Sequence, residues 1–183
     1  MSEVFPRHVL CVLGSGLELS EMQRIAAGFG GFVLDREYSE AEPDPRMPGA
    51  FEASMAAVSF DEADRDAVRS HDTVGYLLSA PLMRELAADT SRRLLAATAA
   101  LLRSGAAAVK NESNGLTHGR ARWFALADDA AGATNENLAA ALVTAWVKRP
   151  APRWVLRTGT CDRYDEDDLF FNPYGYVRLT REE

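Results

Sequence analysis

Residues 8–14, His8-Val9-Leu10-Cys11-Val12-Leu13-Gly14, form an unbroken apolar run with no polar residue at alternate positions. A strand with one solvated face alternates polar and apolar residues. A strand that does not alternate has to be covered on both faces. This run therefore predicts a central strand in a sheet sandwiched between layers, which excludes an all-helical bundle and an open one-sided sheet.

The residues after the run extend that reading. Ser15 and Glu18, or Ser20 and Gln23, have capping-box spacing for a helix reaching about Phe29, with Leu19, Met22 and Ile25 on its apolar stripe. Gly28, Gly30 and Gly31 end it. Residues 32–38 read as a second strand, and residues 39–49, with three prolines, as a loop. A third strand is expected over 51–60. Ser59 and Glu62 suggest another capping box, opening a helix to about Ser70, and residues 73–79 form a fourth strand.

The order β-α-β-β-α-β is the ferredoxin-like pattern of two split β-α-β units. Beyond it, Leu82, Leu86, Thr90, Leu94, Ala97 and Leu101 recur at helical spacing after Pro81, and Ser104-Gly105 stops that helix. Ala106 to Val109 is a fifth strand, 111–119 a polar loop, 120–128 a helix, and 134–147 a further helix capped by Thr134 or Asn135. Residues 154–158 read as a sixth strand, and Asn172 to Gly175 as a turn between two short strands. The expected fold class is α+β: a ferredoxin-like βαββαβ core over 1–80 and a helix-rich C-terminal α/β extension over 81–183, sharing one mixed sheet in a single domain.

Composition narrows the function classes. The 183 residues are 47% hydrophobic, enough for a core, and carry a formal net charge of -7. An acidic chain is poorly suited to displacing counterions from phosphate backbones, so no nucleic-acid partner is expected. No apolar run approaches the ~18 residues of a membrane helix, and no signal-peptide pattern is visible, so a cytoplasmic protein without a membrane partner is expected. Cys11 and Cys161 form no Cys-x-x-Cys pair, and Cys11 reads as a buried free thiol.

Five segments invite a chemical reading. Gly14-Ser15-Gly16, between a strand and a helix, could hold an anion at the helix N-terminus. It lacks the third glycine of a dinucleotide fingerprint and the Gly-Lys-Ser/Thr of a P-loop, and a helix cap explains Ser15 equally. The loop after the fifth strand carries Asn111, Glu112, Ser113, Asn114, His118, Arg120 and Arg122. Ligands in open sheets favour the ends of strands. Glu112 and His118 are candidate acid–base residues there, with Asn111, Ser113, Asn114, Arg120 and Arg122 as candidate ligand contacts. The same residue types also make turns and caps. His8, His71 and His118 lack metal-ligand spacing, so neither metal nor cofactor is expected. The acidic run 162–168 lacks the pattern of a calcium loop, and the aromatic segment 169–177 reads as core or as a contact surface.

The segment Gly105 to Gly119, preceded by His71 to Leu78, resembles a bacterial domain family with no assigned function. That resemblance spans roughly residues 58–146. It implies a small α+β protein in which a helix, a Gly-Ala turn and a strand lead into an acid- and histidine-bearing loop, and it implies no reaction.

Two functional readings remain. The first is a non-enzymatic binding or regulatory protein, including an inhibitor- or immunity-like one. It rests on the acidic balance, the proline-rich acidic loop 40–48 and the lack of a complete catalytic motif. Its partner would be another protein, with monomer and homodimer both open. The second is an enzyme or small-ligand-binding protein with its site at the Glu112–His118 loop. Nucleic-acid binding through the sheet ranks last, because the strands are rich in Val, Leu and Ala rather than aromatic residues.

Overall fold

The computed structural model describes residues 6–55 and 60–147, together with the backbone of two short strands at 169–171 and 177–179. The apolar run becomes strand β1 (Val9–Gly14), buried along almost its whole length. It is followed by helix α1 (Leu19–Ala27), strand β2 (Val33–Glu40), helices α2 (Met47–Glu52) and α3 (Glu62–Arg69), and strand β3 (Thr73–Leu78). Then come helix α4 (Ala87–Arg103), strands β4 (Ala106–Asn111) and β5 (Leu116–Thr117), and helices α5 (Arg120–Ala131) and α6 (Asn135–Trp146). Strands β6 (Leu169–Phe171) and β7 (Val177–Leu179) pair antiparallel. The two short strands expected in the tail are thus present, while the turn expected at 172–175 between them lies outside the described residues. The expected strand at 154–158 lies outside the described residues.

The main sheet has the order β2-β3-β1-β4-β5, and every ladder in it is antiparallel. The expected mixed sheet is thus corrected. Strands β3 and β4, joined through α4, run the same way, but β1 lies between them. Strands β1 and β2, joined through α1, run the same way, but β3 lies between them. No two parallel strands are neighbours. One parallel bridge, Met55 to Thr117, sits outside the named strands.

The expected third strand over 51–60 is corrected at its start, and its residues 56–59 lie outside the described residues. Residues 47–52 are helical, with Met47 and Phe51 turned inward at a spacing of four. Short apolar runs do not distinguish strand from helix by periodicity alone. The strand pairing expected within residues 1–80 is completed by β4, from the second half of the chain.

Caps and starts differ in detail. Helix α1 begins at Leu19 with Glu18 at its N-cap and no side-chain cap, so Ser15 caps nothing. The Ser15 N–H instead bonds the Gly105 carbonyl at 3.0 Å. The capping box of α3 is built by Asp61 and Asp64, each side chain accepting the other's backbone N–H, rather than by Ser59 and Glu62. Helix α4 starts at Ala87 rather than directly after Pro81. The Leu82 N–H is taken by the Pro6 carbonyl at 2.8 Å, and Leu86 is exposed rather than inward.

Side-chain alternation splits the core in two. On one face Leu10, Val12, Leu34, Leu77 and Val109 pack with residues of α1, α4, α5 and α6. Gly75 lets α1 approach closely there, because a Cβ would lie 2.4 Å from Met22 Sδ. On the other face Cys11, Leu13, Val74 and Ala108 pack under Met47, Phe51 and Val68 of α2 and α3. These two short helices cover the Leu13–Val74–Ala108 end of that face. Toward the Val9 end it opens into a cleft.

Candidate functional site

The loop after β4 is tied down by its own side chains. Asn111 is fully buried; its Oδ1 accepts the Ser113 N–H at 3.0 Å, and its Nδ2 lies 3.5 Å from His8 Nδ1. Ser113 Oγ accepts the Val9 N–H at 3.1 Å and donates to the Arg7 carbonyl at 3.3 Å, closing the start of β1. Asn114 Oδ1 accepts the Leu116 N–H at 3.0 Å, and its amide donates to the Trp146 carbonyl. Gly115 supplies the positive φ of 63° that turns β4 into β5. Side-chain amides and hydroxyls folded back on the backbone are the chemistry of turns.

His118 is a core residue. It is 6% exposed and meets Trp123 edge-on, with ring centroids 4.7 Å apart at 89°. Trp123 stacks tilted on Trp146, and Trp146 on His8. Burial holds the His118 pKa below its ordinary value, and nearby Arg122 acts the same way. The carbonyls of Ala145 and Thr144 oppose them. Its Nε2 is buried without a hydrogen-bond partner among the described residues.

Arg120 is committed to the end of α4: Nη2 donates to the Leu102 carbonyl at 2.5 Å and Nη1 to that of Ala106 at 3.0 Å. Arg122 is exposed and lines a groove of about 520 Å³ between α5 and α6, with Asp128, Asn137 and Thr144. Nor do the histidines converge. His71 accepts the Asp44 N–H through Nε2, which leaves its Nδ1–H to donate to the Val68 carbonyl. His8 contacts Ser91 through Nε2 at 3.3 Å, and burial pushes its pKa down to about 4. Among the described residues no group of three or more His, Cys, Asp and Glu side chains could hold a metal ion.

Glu112 is the exception in the loop. Lys110 and Glu112 share one side of the strand, and Asn111 faces the other. Lys110 Nζ lies 2.8 Å from Glu112 Oε1 and 5.5 Å from the Phe51 ring centroid. The pair is on the α2–α3 side of the sheet, while His118 is packed into the layer of α5 and α6. The structure therefore separates the two candidate acid–base residues by the sheet.

Lys110 and Glu112 form one wall of a cleft of about 500 Å³, together with Val9, Asp35, Tyr38, Met47, Tyr76 and Leu78. Its floor is a single cross-strand row. Asp35 stands opposite Tyr76, Tyr76 opposite Cys11, and Cys11 opposite Lys110. Beside it runs an apolar row of Val33, Leu78 and Val9. Cys11 donates weakly to Met47 Sδ at 3.9 Å. Burial, reinforced by the Glu112 charge, pushes the Cys11 thiol up to about 12, with Lys110 and the Tyr76 hydroxyl acting in opposition. Burial likewise raises Tyr76 above its ordinary value, helped by Cys11 and Glu112.

Of the expected site residues, only Glu112 reaches this cleft. Lys110, Tyr76, Asp35 and Tyr38, which also line it, were not foreseen. Their one signal in the sequence is a polar residue inside an apolar strand, as in Val-Gly-Tyr76-Leu-Leu and Ala-Ala-Ala-Val-Lys110.

The chain matches no protein-family model, no curated protein and no solved structure. No helix among the described residues is long and apolar enough to cross a membrane.

Proposed function

We propose that this is a non-enzymatic binding protein whose site is the cleft over the uncovered half of the sheet. The observation that carries the reading is Lys110, which is 6% exposed, ion-paired to Glu112, and set in the wall of a largely apolar cleft. Concave, mostly apolar sites with a few convergent polar groups are the usual form of small-molecule sites, and ~500 Å³ falls within their range of about 300–1,000 Å³.

The chemistry of the walls favours binding over catalysis. A general acid or base works best with a pKa near the working pH. Cys11 and Tyr76 are both pushed well away from neutrality, toward their uncharged forms. Lys110 is engaged by Glu112. An inhibitor-like contact with another protein keeps one supporting observation: Val33 and Tyr38, on the same side, are 44% and 65% exposed.

For the fold, we take the order β2-β3-β1-β4, with α1 and α4 on one face, as a ferredoxin-like core. Helices α2 and α3 are then an insertion between β2 and β3, and β5 to α6 an extension.

The test is a thermal-shift screen of small molecules on the full chain and on Leu78→Trp, which fills the cleft. Compounds that raise the unfolding midpoint of the parent chain and lose that effect in the filled variant support the reading. Compounds that shift both equally, or a screen in which nothing stabilises the parent, overturn it.

A further inference from the structure

Three acidic or basic side chains line the cleft: Lys110, Glu112 and Asp35. Lys110 and Glu112 neutralise each other at 2.8 Å. Asp35 does not share in that balance. It is partly buried, its Oδ1 accepts the Glu37 N–H at 3.1 Å, and among the described residues it has no ion-pair partner. The cleft thus holds one uncompensated negative charge, at its β2 end.

The neighbours of that charge suit a cation with an apolar body. Tyr38 and Tyr76 offer aromatic rings, which attract cations through their faces. Val9 and Leu78 supply apolar surface between the Asp35 end and the Lys110 end. Those ends are three strand spacings apart, roughly 14 Å from backbone to backbone. An anion would meet Asp35 unpaired at one end and a Lys110 already held by Glu112 at the other. The formal net charge of -7 also favours the approach of cations.

We propose that the cleft binds a small organic ammonium: a primary amine on Asp35, its apolar body lying over Tyr76, Val9 and Leu78 toward the Lys110–Glu112 pair. This rests on the cleft being the binding site and adds the class of ligand it takes.

The probes are 2-phenylethylamine, 2-phenylethanol and 3-phenylpropionate, which present an ammonium, a hydroxyl and a carboxylate on similar bodies. They are titrated into the full chain while the methyl resonance of Met47, in the cleft wall, is followed by NMR. The expected result is that the amine moves this resonance at least tenfold more tightly than the other two. Asp35→Asn then weakens the amine at least tenfold, Tyr38→Ala weakens it several-fold, and Asp129→Asn, in the α5–α6 groove, leaves it unchanged. Thermal unfolding of each variant confirms that it is folded. If the alcohol or the carboxylate binds at Met47 as tightly as the amine, or Asp35→Asn changes nothing, the ammonium assignment fails while the cleft stands as a binding site. If none of the three moves Met47, the ammonium assignment fails, and the cleft reading falls with it only when the thermal-shift screen also finds no compound whose effect is lost in Leu78→Trp.

Discussion

Lys110 and Glu112, two residues apart along the β4 edge of the cleft, meet at 2.8 Å with their side chains 8% and 30% exposed. That difference predicts an asymmetry between the two halves of the pair. Glu112→Gln leaves a buried ammonium without its anion, which is expected to cost about 3 kcal/mol. Lys110→Met leaves a carboxylate that water still reaches and keeps an apolar stem against Phe51, at a cost within about 1 kcal/mol. Urea unfolding of both variants and of the double variant measures this. Equal losses would show that the pair is solvated on both sides.

A second prediction concerns acid. His8 is partly buried beside Trp146 and His118 is buried beside Trp123, and both have folded-state pKa values below the ordinary one. The unfolded chain therefore takes up these protons at higher pH than the folded chain. Above about pH 7 neither histidine alters stability. As the pH falls from about 6.5 toward 4 the protonated unfolded state is favoured, and His8 alone removes on the order of 2–3 kcal/mol. Urea midpoints followed by tryptophan fluorescence between pH 7.5 and 4.5 are expected to drop. The drop is expected to be smaller in His8→Gln, whose amide carries no titrating proton.

The Cys11 thiol is fully buried, between Tyr76 and Lys110 in the cross-strand row beneath the cleft, with its pKa pushed up to about 12. A thiol so rarely ionised is a poor nucleophile. In a Cys161→Ser background, which leaves Cys11 as the one thiol, a disulfide-exchange reagent is expected to react at least a hundredfold more slowly with the native chain than in urea. Fast native reaction would place a thiolate in the cleft and revive a catalytic reading.

Arg120 donates to the carbonyls of Leu102 and Ala106, on either side of the Gly105 turn. Charge-assisted bonds of this kind contribute about 1.5–3 kcal/mol each when buried, net of exchange with water, and less where the side chain is exposed as here. Arg120→Ala is expected to destabilise the chain by about 2 kcal/mol and to leave amine binding in the cleft unaltered. Loss of binding in a fully folded Arg120→Ala chain would return the arginine to the site.

Much of the secondary structure is legible without coordinates, because it rests on local rules. Strand β1 comes from an apolar run too continuous for a one-sided sheet, α1 from its stripe and the glycines behind it, and α4 from Thr90, Leu94, Ala97 and Leu101. The failures also have local causes. Met47 to Phe51 is short enough to fit either period, and Pro81 suits a helix start that the Pro6 carbonyl pre-empts by holding the Leu82 N–H.

The site depended on longer distances. In the structure β4 runs on to Asn111, so the pleat puts Lys110 and Glu112 on one side and Asn111 on the other. The sequence by itself determined only a strand over Ala106–Val109 with polar residues after it. It could not say which side meets a layer of helices and which meets a cleft. That was decided by the tertiary structure: α2 and α3 are short and cover only the Leu13 end of their face, while α5 and α6 enclose His118 on the other. Cross-strand register then brings Asp35, Tyr76, Cys11 and Lys110, each from a different strand, into one row. Such a row is set by backbone pairing between distant segments, which no local pattern in the chain encodes.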